Sequence, residues 1–411
     1  MAVVVGHTSA GEPIVRPNGE HVVIIGPPGS GKTSGFLVPS VVSHEGPVVV
    51  TSSRDDVIQL AAGPRTSGGG RIFVFALGMP QRRGTTAVSW DPTQGCEDYG
   101  RALLRAEAMV QTAERVSEGR RGESFWLSHA ARLLATTLYA AALGRQRGDH
   151  LTVCDIADWL ALGDLKPTIE LLEAAGSGAD RARRIVEGID SADLKLRDSV
   201  LMSAQQALRA FESPDVAESL EQDLLFDATD FVRSHDTLFI VSPIDRQELF
   251  APLIAGLLDD IARAAQGVLG GQEDRPRGER PCVLFALDEV ANIAPLPSLP
   301  RLVSTGSGQG CQIVAVLQDF SQARARWPQQ ADGFPTLFRH KLLLPGVMHA
   351  ETLEMFSKVL PHDAFGSSGV STPRWSVNRL ADLPKRHALW IDGATPHEVF
   401  IVTIHDLLGG H

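Results

Sequence analysis

The stretch GPPGSGKT at 26–33 has the residue types and the spacing of a phosphate-binding loop. Its glycines let the backbone curl so that successive N–H groups point at phosphate oxygens, and the dipole of a following helix favours the negative charge. The lysine would neutralise the β and γ phosphates, and the threonine hydroxyl would bind Mg²⁺. The residues predicted to contact the nucleotide are Gly26, Pro27, Pro28, Gly29, Ser30, Gly31, Lys32, Thr33 and Ser34.

An ordinary glycine-rich turn is the alternative interpretation of this stretch. The context decides against it, because the apolar strand-like segment HVVII (21–25) precedes the loop and a plausible helix follows it. A phosphate loop requires that order of strand, loop and helix, with lysine and threonine at its end. The sequence therefore predicts a nucleotide site here.

An acidic pair follows a second apolar segment, CVLFALDE at 282–289. Adjacent carboxylates on an exposed loop are usually only solvated. Here an apolar strand leads directly into them, and ligands collect at the carboxyl ends of strands in open α/β sheets. We expect Asp288 to hold Mg²⁺ and Glu289 to act as the base that orients an attacking water.

The next strand-like segment, CQIVAVLQ at 311–318, ends in a glutamine that could sense the γ-phosphate or the attacking water. Alone, Gln318 is a weak signal, and it gains weight from its position one strand after the acidic pair. The predicted catalytic residues are thus Lys32, Glu289 and Gln318, and the predicted metal ligands are Thr33 and Asp288.

A second glycine-rich stretch, STGSGQG at 304–310, resembles a phosphate loop in composition only. It follows the helical segment SLPRLV and precedes a strand, which is the reverse of the order that a phosphate loop requires. Its glycines are typical of a helix C-cap and a turn into the next strand. We therefore do not expect it to bind nucleotide.

Continuous apolar segments indicate a mainly parallel sheet buried on both faces, and hence an α/β fold. Between about 97 and 232 the strand signal gives way to alanine, leucine and arginine at helical spacing. The simplest organisation is one nucleotide-binding domain, formed by 1–96 and 233–411, which is interrupted by an all-helical insertion domain at 97–232.

Composition excludes several other classes of protein. The net charge of −11 argues against coating of DNA through overall charge, although a locally basic channel remains compatible with it. The four cysteines form no CxxC pair and the thirteen histidines no HExxH motif, so we assign neither a disulfide framework nor a transition metal. No segment is long and apolar enough to span a bilayer, and we expect the chain to be soluble.

Motif order along the chain resembles the cytoplasmic part of TraG/TraD-type coupling proteins, the ATPases of type IV secretion and bacterial conjugation. The likeness covers most of 20–405. The segments that carry it, in chain order, are GPPGSGKTSGFLVPS, SWDP, FWLSHAARLL, LDEVANIAPLPSLPRLVSTGSGQGCQIVAVLQD and RLADLPKRHALWIDGATPHEVFIVTI.

This resemblance implies a RecA-like P-loop NTPase domain with ATP and Mg²⁺ as cofactors. It also implies a working homo-hexamer at the cytoplasmic side of the cell membrane, and partners among the type IV secretion channel components. The cargo would be a relaxase–DNA complex or a secreted effector protein, with contact to single- or double-stranded DNA. We expect the isolated chain to be a monomer and its membrane anchor to have been removed, or to reside on another chain.

Two positions depart from the family pattern. Where relatives carry an Asp-Pro-Lys type sequence, this chain has TSSRDD (51–56), so that Arg54 would replace the lysine. Eleven residues before the motif glutamine, where the family places an arginine that reaches the neighbouring subunit, stands Ser307. An arginine supplied in trans is worth about 10³ to 10⁵ in rate, so Arg301 is the candidate substitute.

The leading functional hypothesis is an ATP-dependent coupling protein that delivers cargo to a type IV secretion channel. A nucleotide-binding docking platform with little or no hydrolysis is the alternative motivated by Ser307. An FtsK/HerA-like DNA-pumping ATPase is a third, although the FWLSHAARLL segment argues against it. Phe125 and Trp126 in that segment could stack on bases, but burial preference favours a place in the helical core.

Overall fold

The computed structural model describes residues 2–76, 84–117, 124–218, 220, 224–272, 274–361 and 373–407. Its β-strands follow the apolar segments of the sequence, and the central ones are buried along their whole length. Their bounds are β1 Ala2–His7, β2 Pro13–Pro17, β3 Val22–Ile25, β4 Val48–Ser52, β5 Ile72–Phe75, β6 Thr86–Ala87, β7 Thr237–Val241, β8 Val283–Leu287, β9 Cys311–Leu317, β10 His340–Leu343, β11 His387–Asp392 and β12 Thr395–Phe400.

Helices connect the strands and fill the segment between β6 and β7. Their bounds are α1 Val38–Ser43, α2 Asp56–Ser67, α3 Tyr99–Val116, α4 Ser124–Gln146, α5 Val153–Leu162, α6 Lys166–Ala174, α7 Asp180–Asp190, α8 Leu194–Leu208, α9 Pro214–Glu218, α10 Ala228–Phe231, α11 Gln247–Leu269, α12 Leu299–Thr305, α13 Phe320–Arg326, α14 Phe334–Leu337, α15 Ala350–Val359, α16 Val377–Ala381 and α17 Ile404–Leu407.

The strands form one twelve-stranded sheet in the order β2-β1-β12-β11-β10-β3-β9-β8-β4-β7-β5-β6. All neighbours from β10 to β6 are parallel, whereas β2, β1, β12 and β11 form an antiparallel flank. This arrangement confirms the mainly parallel α/β sheet that the sequence predicts. Because the parallel strands share one direction, the segments that follow them meet at one edge of the sheet.

One face of the sheet shares a hydrophobic core with the helices of 97–232, which we call the helical insertion. Helix α11, which follows β7, packs along α3 of the insertion and brings it onto the sheet. The division at 96 and 232 stays a prediction. Within the insertion, the prediction that Phe125 fills the core is wrong, since its side chain is 54% exposed at the start of α4, while Trp126 is half-buried against the core.

Candidate nucleotide site

The phosphate loop begins directly after β3, at the carboxyl edge of the sheet. Its first residue is fixed to the neighbouring strand, because the Gly26 N–H donates to the Leu317 carbonyl of β9 at 3.1 Å. Gly29 and Gly31 have φ values of +77° and +91°. Residues with a side chain rarely adopt this conformation, so the curl of the loop depends on glycine at both positions. A π-helical turn, Thr33–Leu37, then leads into α1.

The Lys32 side chain bends back over the loop. Its ammonium donates to the carbonyls of Gly26 at 2.5 Å and of Pro27 at 2.8 Å. Burial lowers the pKa of Lys32, while the charges of Asp288 and Glu289 oppose that shift. An ammonium has three N–H donors, and these two bonds leave one donor for a further acceptor.

Asp288, one residue after the end of β8, lies against the phosphate loop. The Thr33 hydroxyl donates to its Oδ2 at 2.8 Å, and the Thr51 hydroxyl fixes its main chain at 2.9 Å. Burial, with a smaller contribution from the Glu289 charge, raises the pKa of Asp288, and the Thr33 hydrogen bond opposes this shift. A buried carboxylate beside a hydroxyl is a set of hard oxygen ligands, which fits Mg²⁺.

Glu289 has an unusual backbone and two side-chain partners. Its φ of +47° lies in the left-handed region, which is sparsely populated for residues other than glycine and is found at functional sites. Ser53, just after β4, donates its hydroxyl to Oε1 at 2.9 Å. Gln247, the first residue of α11, donates Nε2 to Oε2 at 3.3 Å. The carboxylate is therefore oriented from two sides.

Gln318 follows β9 and lies beside the phosphate loop. Its main-chain N–H donates to Gln322 Oε1 at 2.9 Å, and its side chain is exposed in the same cleft. The structure thus brings together all five residues with predicted catalytic or metal roles, Lys32, Thr33, Asp288, Glu289 and Gln318. Their roles stay predictions.

These residues line a cleft of about 1030 Å³. Its other wall comes from the C-terminal segments and includes Lys385, Arg386 and His405. Arg386 has a φ of +65° and donates Nη2 to Asp406 at 3.2 Å. These residues were not predicted as site residues, since the segments that carry them reach the cleft only when β11 pairs with β10 and β12 pairs with β11.

Ser53 and Gln247 were also not predicted as site residues. Both follow parallel strands, so position after a strand was the available signal, but neither belongs to a recognised motif. The exposed side chain of Arg54 lines the cleft next to Ser53, and its role as a substitute for the family's lysine stays a prediction.

The second glycine-rich stretch lies at the opposite edge of the sheet, before β9. Its residues 306–308 form a single 3₁₀ turn between α12 and the strand. Among the described residues, Arg301 on α12 is exposed and does not line the cleft of its own chain. The Ser307 side chain lies outside the described part of the structure.

The mainly parallel sheet and the phosphate loop that follows β3 together define a RecA-like P-loop ATPase fold. Solved structures of the plasmid coupling protein TrwB share it. The complex of TrwB with the non-hydrolysable ATP analogue ADPNP has a TM-score of 0.65 and 21% identity, covering 97% of this chain and 89% of that one. The complex of TrwB with ADP and Mg²⁺ has a TM-score of 0.63 and 20% identity, covering 97% of this chain and 88% of that one.

The sequence model of the family "Type IV secretory system Conjugative DNA transfer" matches residues 2–378, so the chain belongs to this family. It is 23% identical over 308 residues to protein VirD4 of Agrobacterium fabrum, covering 74% of this chain and 44% of VirD4. It is 25% identical over 333 residues to a conjugal transfer protein TraG of Escherichia coli, covering 76% of this chain and 50% of TraG.

The chain therefore spans about half the length of the curated relatives that it matches. Within the described residues, no helix is both long and apolar enough to cross a membrane.

Proposed function

We propose that this chain is the Mg²⁺-dependent ATPase motor of a coupling protein in conjugative DNA transfer. The observation that carries the proposal is the contact between the Thr33 hydroxyl and Asp288 beside Lys32 and Glu289. These groups come from separate strands and match the groups that phosphoryl transfer requires. Family membership supports the same function.

Each side chain has a definite task in this proposal. Lys32 neutralises charge on the β and γ phosphates, and the loop N–H groups hold them. Thr33 and Asp288 would hold Mg²⁺, which, when bound, supplies further neutralisation of phosphate charge. Glu289, oriented by Ser53 and Gln247, accepts a proton from the attacking water, and Gln318 hydrogen-bonds to the γ-phosphate or that water.

The proposed assembly is a homo-hexamer at the cytoplasmic face of the membrane, which receives a relaxase–DNA complex or a secreted effector. Arg301 is the proposed trans-acting arginine, because its exposed side chain lies away from its own cleft. Turnover per molecule should then rise with protein concentration and with added DNA. The measurement is steady-state phosphate release against concentration, for the unaltered chain and for Arg301→Ala, and an equal response of both would exclude Arg301.

A nucleotide-loaded docking platform is the second candidate, and the serine at 307 favours it. The platform predicts tight binding of a fluorescent ATP analogue with turnover that stays low and independent of concentration and DNA. If the unaltered chain does not bind the analogue, both candidate functions are wrong. The FtsK/HerA-like DNA pump has less support, since family membership favours the coupling proteins.

A further inference from the structure

Gln247 is a buried polar residue that connects Glu289 to a long helix. Its side chain is 6% exposed, and its amide donates to Glu289 Oε2 at 3.3 Å. The other carboxylate oxygen is held by Ser53, which follows the central strand β4. Glu289 is therefore oriented by one donor fixed to the sheet and by a second donor at the first residue of α11.

Helix α11 is fastened to the helical insertion. Gly256, near its middle, allows close contact, because a Cβ there would lie 3.0 Å from the side chains of Met109 and Trp90. One turn further on, Asp260 forms a 2.7 Å ion pair with Arg105 of α3, whose side chain is 1% exposed.

Arg105 is itself fixed to the segment that directly precedes the insertion. One of its nitrogens donates to the carbonyls of Pro92 at 2.5 Å and Gln94 at 2.6 Å. An α-helix rises about 1.5 Å per residue, so this anchor lies roughly 20 Å along α11 from Gln247. Helix α11 is continuous over that distance although Pro252 removes one hydrogen bond from its ladder, and it connects a shift at the insertion to its first residue.

We propose that Gln247 is a positioning residue through which α11 couples the helical insertion to Glu289. The proposal rests on the ATPase function proposed above. A displacement of the insertion against the sheet moves Gln247 while Ser53 stays in place, and this changes the direction of the Glu289 carboxylate. Because coupling between sites is reciprocal, nucleotide in the cleft must also affect α3.

Two near-isosteric variants of Gln247 distinguish a role in orienting Glu289 from a merely structural hydrogen bond. Gln247→Met removes the donor, and Gln247→Glu replaces it with a second carboxylate. The matched control is Gln266→Leu, near the other end of the same helix and half-buried. Thermal unfolding establishes that each variant is folded before it is assayed.

Both Gln247 variants should lower kcat about tenfold or more while KM for ATP is unchanged, since a misplaced catalytic group costs rate rather than binding. The deficit of Gln247→Glu should shrink as pH falls, because one proton shared between the two carboxyl groups restores a hydrogen bond. The deficit of Gln247→Met should not depend on pH. A loss of packing alone would give the same pH profile for both variants.

Hydrogen–deuterium exchange with Mg²⁺ and a non-hydrolysable ATP analogue tests the coupling without hydrolysis. In the unaltered chain and in Gln266→Leu, the analogue should change exchange in both α11 and α3. In Gln247→Met it should bind with the same affinity, yet the change in α3 should be lost. If the analogue binds and Gln247→Met behaves like Gln266→Leu in exchange, the coupling proposal is wrong and the ATPase proposal stands. If the unaltered chain does not bind the analogue, both proposals fail.

Discussion

Two glycine-rich stretches with three glycines each occupy opposite edges of the same sheet. GPPGSGKT (26–33) follows β3, and STGSGQG (304–310) precedes β9. The two strands are parallel neighbours. One stretch therefore lies at their carboxyl ends, in the nucleotide cleft, and the other at their amino ends.

The glycines of the two stretches meet different surroundings. Gly29 and Gly310 have similar φ values of +77° and +74°. A Cβ on Gly29 would have no atom within 4 Å, whereas one on Gly310 would lie 2.6 Å from the Cβ of Leu269 in α11. Glycine allows the backbone to curl into a loop in the first stretch and allows a helix to pack closely in the second. Composition alone does not separate these roles.

The strongest test of this comparison removes the lysine that only the first stretch contains. Lys32→Ala should lower ATP turnover by at least about 10²–10³-fold, because a preorganised charge facing the phosphates is lost. The matched control is Lys341→Ala on β10, another half-buried lysine, which donates to the Phe338 carbonyl at 2.7 Å. Steady-state phosphate release measures both variants, and equal losses would show that Lys32 has no special role.

A methyl group on Gly310 should act on stability alone. We expect Gly310→Ala to lower the free energy of unfolding by about 2–4 kcal/mol, from backbone strain and overpacking against Leu269. Binding of an ATP analogue should stay within about twofold, since the change lies at the far edge. Gly308→Ala is the control, because its Cβ meets nothing within 4 Å, and it should change stability by less than about 0.5 kcal/mol. Denaturant unfolding measures the stability of both variants. A loss of nucleotide affinity in Gly310→Ala would contradict a role for Gly310 in packing alone.

A glycine-to-alanine substitution in the phosphate loop should instead lower nucleotide affinity more than it lowers stability. Gly29→Ala strains the backbone by about 1 kcal/mol without a packing clash, so stability should fall little. The altered loop should no longer direct its N–H groups at phosphate, and analogue affinity should fall about tenfold. Fluorescence titration measures this. Unchanged affinity would mean that Gly29 does not shape the phosphate site.

The smallest expected effect concerns Asp288, where the proposed metal-binding role opposes stability. Its folded-state pKa is raised, so its ionised form destabilises the fold at every pH above its ordinary value near 3.8. Asp288→Asn should therefore raise Tm at neutral pH without nucleotide, and the gain should shrink as pH falls toward that value. The stabilisation of the chain by Mg²⁺-ATP should be lost. Thermal unfolding across pH checks this, and a lower Tm at neutral pH would refute it.

Prediction from sequence succeeded where the signal was local. The buried strands are continuous apolar runs, and β3, β8 and β9 end at the residues that the motifs mark. Strands β2 and β6 were not predicted, because β2 alternates between exposed and half-buried residues and β6 has only two residues. The apolar segment HEVFIVTI (397–404) is typical of one strand, but β12 ends at Phe400 and Asp406 accepts from the Thr403 N–H at the start of α17.

The residues that orient Glu289 could not be predicted from local sequence patterns. Ser53 and Gln247 lie far along the chain from Glu289, and only the adjacency of β8, β4 and β7 brings them to it. Phe125 shows the same limit, because its place in a helical pattern did not reveal that it faces solvent at the start of α4.

By itself, the sequence determined which residues are candidates for phosphate and metal chemistry and that each follows a buried strand, because strand burial and loop motifs are local properties. Tertiary structure decided that STGSGQG lies at the edge opposite the candidate nucleotide site, that Gln247 and Ser53 both bind Glu289, and that the C-terminal segments line the cleft. These outcomes depend on the order of strands in the sheet, which is set by packing between distant segments.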